Sequence, residues 1–232
     1  MKIFRKIRQQ LLSKNKVSKY LLYAIGEITL VVIGILIALS INNKNDEISN
    51  RNAEKNFYRK IRQQLLDDVD NIKSQIEYNS TYTEQFRHGI KLIELNDRSK
   101  KDSLGKIAVN LTNYSDFDRQ GNIYETMVNS GDIKLLQNNE IIERLRRLEE
   151  TYIYANRMET IHFDVVISIV PNLMNSIQLY SNEVENVEYL FGYEFQNLFV
   201  ISLRIMNEKD TVYNRALDEI YGVVELIDKE LK

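Results

Sequence analysis

The sequence predicts an all-α protein in which an N-terminal transmembrane helix continues toward an antiparallel helical bundle. One Pro and eight Gly among 232 residues are too few for an all-β fold, whose tight turns depend on these residues. A long apolar segment near the N-terminus, and apolar residues at helical spacing beyond it, favour helices directly. The composition, with 44% hydrophobic and 28% charged residues, is that of a folded chain.

The formal net charge of −2 conceals an uneven distribution along the chain. Residues 1–19 contain seven basic residues and no acid, residues 20–41 contain Glu27 as their only charge, and residues 42–232 have a net charge of −8. An acidic domain lacks the positive surface that binds nucleic-acid phosphates. We therefore expect no nucleic acid among the partners.

The first 19 residues predict a basic amphipathic segment on the cytoplasmic side of a membrane. Apolar residues at positions 4, 7 and 11 recur at helical spacing. A short helix of this kind lies on an anionic membrane surface, where its cations meet the lipid headgroups. The cations that we assign to this surface are Lys2, Arg5, Lys6 and Arg8.

Residues 20–41 predict one transmembrane helix. At about 1.5 Å per residue this segment gives roughly 33 Å of helix, which is enough for a hydrocarbon core of about 30 Å. Ala38 and Ser40 have the spacing of a signal-peptide cleavage site, so a cleaved signal peptide is the alternative. The apolar run is longer than the ~7–15 residues of a signal-peptide core, which favours an uncleaved anchor. Because the basic residues precede the span, we expect a cytoplasmic N-terminus and an external domain.

Glu27 is the most informative residue of this span, because a carboxylate within a membrane is costly and marks a functional position by default. Gly34 lies on the same helix face seven residues later. Ala38 completes a small-residue pair with Gly34 that permits the close approach of another helix. We expect this face to pack against a second copy or another membrane protein. Tolerance of Glu27 near the membrane interface and a proton pathway are the alternatives.

Residues 42–56 predict a polar stalk, and residues 57–232 predict the external domain. There is no Gly or Pro from Ile35 to His88, so the helix can continue through the stalk. A break near residues 42–45 is the alternative, because Asn is a poor helix former.

The first half of the external domain predicts one long helix followed by short ones. The long helix begins at Phe57 and ends near Asn96. Loops at residues 97–103 and 113–122 flank a short helix at residues 104–111. A further helix at residues 123–129 precedes Gly131, which supplies a left-handed C-cap.

The second half of the external domain predicts two more long helices. Asn138 or Asn139 caps the first, and Pro171 either kinks or ends it. The last helix extends from Glu194 to near Leu231, with an apolar stripe of almost heptad spacing, typical of a coiled coil, that includes Ile201. Three tyrosines are expected at the edges of the core, namely Tyr152, Tyr213 and Tyr221.

Two stretches resemble a bacterial family of uncharacterised single-pass inner-membrane proteins. The first is residues 4–43, in which YAIGEI and IGILIAL precede INN. The second is residues 124–152, YETMVNSGDIKLLQNNEIIERLRRLEETY, which is similar to a helix, a Ser-Gly turn and a helix in the family's outer domain. The chain has Lys44 where the family commonly has Trp. The resemblance implies an inner-membrane protein with a periplasmic domain, and it implies no particular activity.

The sequence contains no strong catalytic or metal-binding motif. Glu159 and His162 have Glu-x-x-His spacing, but ferritin-like metal sites need a second such motif, and the other His, His88, follows Glu84 by four residues. There is no Cys and no Gly-x-Ser-x-Gly sequence. We therefore expect no enzyme activity, no cofactor and no resident metal.

The leading functional hypothesis is a non-enzymatic interaction or scaffold protein of the bacterial envelope. Its partners would be the lipid bilayer and either a second copy or another membrane or envelope protein. The alternative is a sensor-type periplasmic bundle that binds a ligand and signals through a membrane partner. Ligand binding raises apparent stability by mass action, which separates the two hypotheses.

Overall fold

The computed structural model describes residues 17–117, Arg119 and residues 121–232. These residues form six α-helices, three short 3-10 helices and one two-stranded hairpin, which confirms the predicted all-α class. The basic residues assigned to the membrane surface, Lys2, Arg5, Lys6 and Arg8, lie outside the described residues.

The α-helices are α1 (Val17–Glu94), α2 (Lys101–Val109), α3 (Ile123–Ser130), α4 (Asn139–Met174), α5 (Val187–Leu190) and α6 (Tyr193–Glu230). The 3-10 helices are Arg98–Lys100, Asn110–Thr112 and Asp132–Leu135. Strands β1 (Ile177–Gln178) and β2 (Glu183–Val184) pair antiparallel in a hairpin, with Ile177 opposite Val184.

The chain divides into two units, of which the first ends at Glu54 and the second is Lys55–Lys232. In the first unit, the side chains of residues 21–41 are almost all exposed. Their segment has a mean hydropathy of 2.5 over an 18-residue window, and α1 is the one described helix long and apolar enough to cross a membrane. α1 is helical through residues 42–45, where a break was the alternative. Asn42 Nδ2 donates to Asp46 Oδ2 at 3.0 Å, one turn later in the helix.

Three long helical segments build the second unit, namely α1 from Lys55 onward, α4 and α6. Hydrogen bonds between the helices show their relative directions. Residues with higher sequence numbers on α1 and α4 bond to residues with lower sequence numbers on α6. The pairs are Arg62 with Asp228, Asn79 with Asp210, Arg144 with Glu219, and His162 with Lys209. α6 therefore lies antiparallel to both other helices, as the sequence predicts.

The apolar stripes fill two core clusters in the second unit. The first cluster lies between the three long helices and contains the stripe of α1 that was expected to be buried, with Ile61, Leu65, Val69 and Ile72. The second cluster lies around α2, the hairpin and the C-terminal end of α4. The two predicted caps are confirmed: Gly131 has φ +81°, and Asn138 Oδ1 accepts from the N–H groups of Glu140 and Ile141.

Several predicted boundaries and positions are wrong in detail. α2 begins at Lys101, three residues earlier than predicted, and a 3-10 turn capped by Asp97 occupies part of the expected loop. Of the two alternatives at Pro171, an end of the helix is excluded: Pro171 lies inside α4, which extends to Met174, and the Pro171 carbonyl accepts from the Asn175 N–H at 3.1 Å.

Two side chains expected in or beside the core are exposed. Ile201 lies on the outer side of α6, whereas its neighbours Phe199 and Ser202 are buried, so the predicted stripe is one position out of register in this part of the helix. Tyr221 is also exposed, and its ring lies near the Lys73 ammonium. Tyr152 and Tyr213 are buried rather than at the core edge.

Candidate functional site

The three residues predicted for helix packing, Glu27, Gly34 and Ala38, lie on one face of α1. At 3.6 residues per turn they fall within about 40° of one another around the helix axis. Gly34 and Ala38 are exposed, and Glu27 is half-buried. A Cβ placed on Gly34 would meet no other described atom within 4 Å. This face is therefore accessible to a second helix.

A buried polar cluster lies where α4 and α6 meet the segment of residues 113–117. Lys209 of α6 and His162 of α4 are both fully buried. The Lys209 ammonium donates to the Ser115 carbonyl oxygen, and its Nζ lies 3.2 Å from His162 Nδ1. Because an ammonium has donors only, Nδ1 is the acceptor and the ring proton of His162 is on Nε2.

Glu159 completes this cluster one turn earlier on α4. Its Oε1 accepts a hydrogen bond of 2.5 Å from the Tyr213 hydroxyl and one of 2.9 Å from the Phe117 N–H. The side chains of Lys209 and Glu159 therefore hold two backbone groups of the same segment, at Ser115 and Phe117. The buried side chains of Lys209 and Glu159 therefore fix this segment to α4 and α6.

Burial controls the protonation of the cluster. Burial first, and the neighbouring Lys209 cation second, lower the pKa of His162 to about 3. Burial lowers the pKa of Lys209 to about 8, against the attraction of Glu159. Burial also raises the pKa of Glu159, which the hydrogen bonds from Tyr213 and Phe117 oppose. At neutral pH the cluster therefore holds a neutral imidazole beside an ammonium.

The Glu-x-x-His pair of the sequence does share one buried face of α4. However, Nδ1 of His162 faces the Lys209 ammonium, whose positive charge would repel a metal cation at this nitrogen. In the part of the chain that the structure describes, no group of three or more His, Asp or Glu side chains could hold a metal ion. The pair instead holds the segment of residues 113–117.

A second polar cluster lies further along α4, toward its N-terminus. The Tyr152 hydroxyl donates to Asp68 Oδ2 of α1 at 2.8 Å. Arg119 forms two hydrogen bonds with Glu149, of 2.8 and 2.6 Å, and its guanidinium lies 4.4 Å from the centre of the Tyr152 ring. Burial raises the pKa of Asp68, and the hydrogen bond from Tyr152 opposes the shift.

An open cleft of about 860 Å³ lies beside both clusters. Phe117, Tyr152 and Ile153 give its wall an apolar part, and Arg119 and Glu149 give it a paired ionic part. The volume is within the range of about 300–1,000 Å³ that small-molecule pockets occupy. The cleft can hold a ligand or a peptide side chain, and its buried ionic groups already pair with one another.

Sequence reasoning missed the cleft and the Lys209 cluster. One signal was present, because Lys209 occupies a position of the α6 stripe between Ile205 and Tyr213, at a spacing of four residues from each. A cation at a core position of an amphipathic helix indicates a buried polar contact. Its partner Ser115 is 94 residues away along the chain, and helical periodicity does not reveal such a pairing.

Comparison with known proteins identifies a family and nothing finer. A search of curated proteins and a search of solved structures both found no match to this chain. A family model described as "Family of unknown function (DUF6090)" matches residues 27–208. The match begins within the apolar segment and extends into α6, and it covers well over half of the 232 residues. The chain therefore belongs to the DUF6090 family of unknown function.

Proposed function

We propose that this chain is a non-enzymatic interaction protein anchored in a bacterial inner membrane. Residues 20–41 form the single anchor, with the N-terminus in the cytoplasm. Residues 57–232 form a periplasmic helical domain that binds another component of the envelope. The span contributes to association through the face of Glu27, Gly34 and Ala38.

The observation that carries the proposal is the exposed apolar surface of the first unit. Large side chains from Leu21 to Ile41 are each about half exposed or more. Soluble proteins rarely expose a contiguous apolar patch of more than a few hundred Å². A helix that satisfies its own backbone hydrogen bonds is one of the two structures that lipid accepts, so a bilayer is the natural solvent for this surface.

The external domain supports binding rather than chemistry. In the cleft, Arg119 is paired with Glu149, and Glu159 accepts hydrogen bonds from Tyr213 and Phe117. Groups whose charges are paired or hydrogen-bonded within the fold are poor candidates for acid, base or nucleophile, because each of these roles needs a proton or lone pair at the substrate. They are good candidates for a fixed recognition surface, since their positions are set before binding.

Photocrosslinking in native membranes tests the interaction. A photoreactive amino acid replaces Ile153 at the cleft, and in a control chain it replaces Tyr221, which is exposed on α6. We expect a discrete adduct with one envelope protein from position 153, and no such adduct from the control position 221. The purified partner should then bind the purified full chain. Absence of any protein adduct from several surface positions would contradict the proposal.

The contribution of the span to association can be tested separately. Glu27→Leu should raise, several-fold, the concentration at which the full chain dissociates in detergent, because it removes a polar contact between helices. Thr29→Leu is the matched control, because Thr29 lies away from this face and its hydroxyl bonds to the Ile25 carbonyl of its own helix at 2.8 Å. Equal dissociation of both variants and the wild type would remove the span from the interface.

The cleft favours a second candidate function, a sensor-type domain that binds a small ligand and signals through a membrane partner. Its volume of about 860 Å³ and its mixed apolar and ionic wall suit a compact polar molecule. A thermal-shift screen of the full chain against small envelope metabolites tests this function. A ligand that stabilises the wild type but not a variant with Ile153→Arg would favour the sensor over the scaffold.

A further inference from the structure

The C-terminal half of α4 and the hairpin turn form an almost uncharged segment. Residues 160–182 contain one charged residue, Asp164, in a chain where 28% of residues are charged. The external part as a whole is acidic, since residues 42–232 have a net charge of −8. Two copies of such a domain repel each other over most of their surfaces, and this segment is where that repulsion is weakest.

This half of α4 is apolar on two opposite sides. Ile169 and Leu173 are buried in the second core cluster, and Val166 is buried on the same side. On the other side, Phe163, Ile167 and Met174 are 44%, 54% and 65% exposed. Their spacing of four and seven residues places them on one helix face, with the exposed Pro171 beside them. A helix that is apolar all round is normally buried all round.

The outer face has a fixed shape and a useful size. The Phe163 ring packs edge-on against Tyr114, with ring centres 5.5 Å apart. In the hairpin turn just after α4, Leu179 is 45% exposed and Tyr180 fully exposed. With about 100 Å² from each half-exposed side chain and about 200 Å² from Tyr180, these residues present on the order of 600 Å². A standard interface buries about 800 Å² per partner, which the polar rim of Asp164, Ser168 and Asn175 can complete.

We propose that this face, formed by Phe163, Ile167, Pro171, Met174, Leu179 and Tyr180, is the interface for a second copy of the same chain. A single uncharged helix face can pair with itself about a two-fold axis, so that each copy buries the same patch. The inference rests on the proposed function in one respect: anchors in one membrane hold the two copies at high effective concentration. It does not depend on the envelope partner.

The oligomeric state of the full chain in non-ionic detergent tests this inference. Light scattering at tens of micromolar should give a dimer for the wild type and a monomer for Ile167→Asp, with a loss of at least tenfold in dimer affinity. Ile153→Asp is the matched control, because Ile153 is as exposed on the same helix but lies roughly 15 Å of helix before Phe163, beyond the end of the face. Ile153→Asp and Glu27→Leu should both remain dimers at this concentration. Circular dichroism confirms that each variant is folded.

Salt and crosslinking provide independent readouts. Added salt should strengthen the dimer, because it screens the repulsion between acidic domains. The chain has no Cys, so Ile167→Cys gives one thiol per copy, which a short bismaleimide should link efficiently, whereas Ile153→Cys should remain unlinked. A monomeric wild type, a dimer that persists in Ile167→Asp, or a dimer that salt dissociates would overturn the inference. Loss of the dimer in Glu27→Leu alone would also overturn it, because the dimer would then form through the span. That result would not bear on the envelope partner, which the photocrosslinking experiment tests separately.

Discussion

The side chains of Lys209 and His162 form a buried pair, with Nζ of Lys209 3.2 Å from Nδ1 of His162. A buried ammonium is costly unless it is paired and hydrogen-bonded. Here the Ser115 carbonyl and the imidazole accept its hydrogen bonds, and Glu159 supplies the attraction that favours its charge. The pair explains how a segment without regular structure at residues 113–117 is held against two helices.

Acid should destabilise the protein through His162. Unfolded His binds a proton near pH 6.5, whereas folded His162 binds one only near pH 3, so the unfolded state holds more protons between these values. The free energy of unfolding therefore falls as the pH falls below 6.5. From pH 6.5 to 5.0 we expect the wild type to lose up to about 2 kcal/mol more than His162→Gln, at up to about 1.4 kcal/mol per pH unit.

Urea unfolding of the full chain in detergent, followed by circular dichroism at the two pH values, measures this loss. His88→Gln is the matched control, because His88 is the other His of the chain and is exposed. That variant should keep the acid sensitivity of the wild type. Equal acid sensitivity in His162→Gln would show that the imidazole is accessible to protons in the folded chain.

Glu159 and Lys209 should be strongly coupled. Glu159→Gln removes the first of the three carboxylate charges, ahead of Asp116 and Asp210, that favour the buried Lys209 ammonium, and it should lower the free energy of unfolding by about 1–3 kcal/mol. A second change, Lys209→Met, removes the ammonium and should recover more than about 1 kcal/mol. A double-mutant cycle from urea unfolding at pH 7.5 gives the coupling energy. Strict additivity of the two changes would mean that the charges do not interact.

Gly105 should be intolerant of a larger residue. A Cβ at this position would lie 2.7 Å from Val184 Cγ2, where α2 packs on the hairpin. Overpacking of this kind costs about 1–3 kcal/mol, so Gly105→Ala should lower the free energy of unfolding by that amount. Val184→Ala in the same chain should recover part of the loss. If the double variant is no more stable than the sum of the single changes predicts, the two residues are not in contact.

Gly131 should be replaceable by Asn better than by Ala. Its φ of +81° is in the left-handed region at the C-terminus of α3, which Gly adopts freely, Asn at small cost and Ala at greater cost. We expect Gly131→Ala to lower the thermal midpoint, with a cost of about 1 kcal/mol. Gly131→Asn should lie between Gly131→Ala and the wild type, and the reverse order would contradict the observed backbone conformation.

Local signals in the sequence predicted much of the fold. The stripe from Ile61 to Ile72, the cap at Asn138 and the turn at Gly131 each depend on residues within a few positions of one another. The hairpin was missed because strands of two residues have no periodicity to detect. Ile201 was misplaced because the predicted stripe was one position out of register in the first half of α6, where Phe199 and Ser202 are buried instead.

The candidate site was largely beyond sequence reasoning. Its groups come from α1, α4, α6 and the segment after the 3-10 turn at Asn110–Thr112. They are brought together only by tertiary contacts between segments that are distant in the sequence. Asp68 and Tyr152 are 84 residues apart, and each alone resembles an ordinary helix residue. The transmembrane segment differs, because its prediction depends only on length and hydropathy, which are properties of one contiguous segment.

We propose that residues 20–41 anchor the chain with its domain outside the cytoplasm, and the labelling of single cysteines distinguishes this topology from its alternatives. The chain has no Cys, so Ser13→Cys and Ser103→Cys each provide one thiol, before and after the span. In bacterial cells with a permeabilised outer membrane, an impermeant maleimide should label Ser103→Cys at once and Ser13→Cys only after lysis. Both chains should stay in the membrane fraction during alkaline extraction. Release of the chain by alkali, or labelling of Ser13→Cys from outside, would contradict the account.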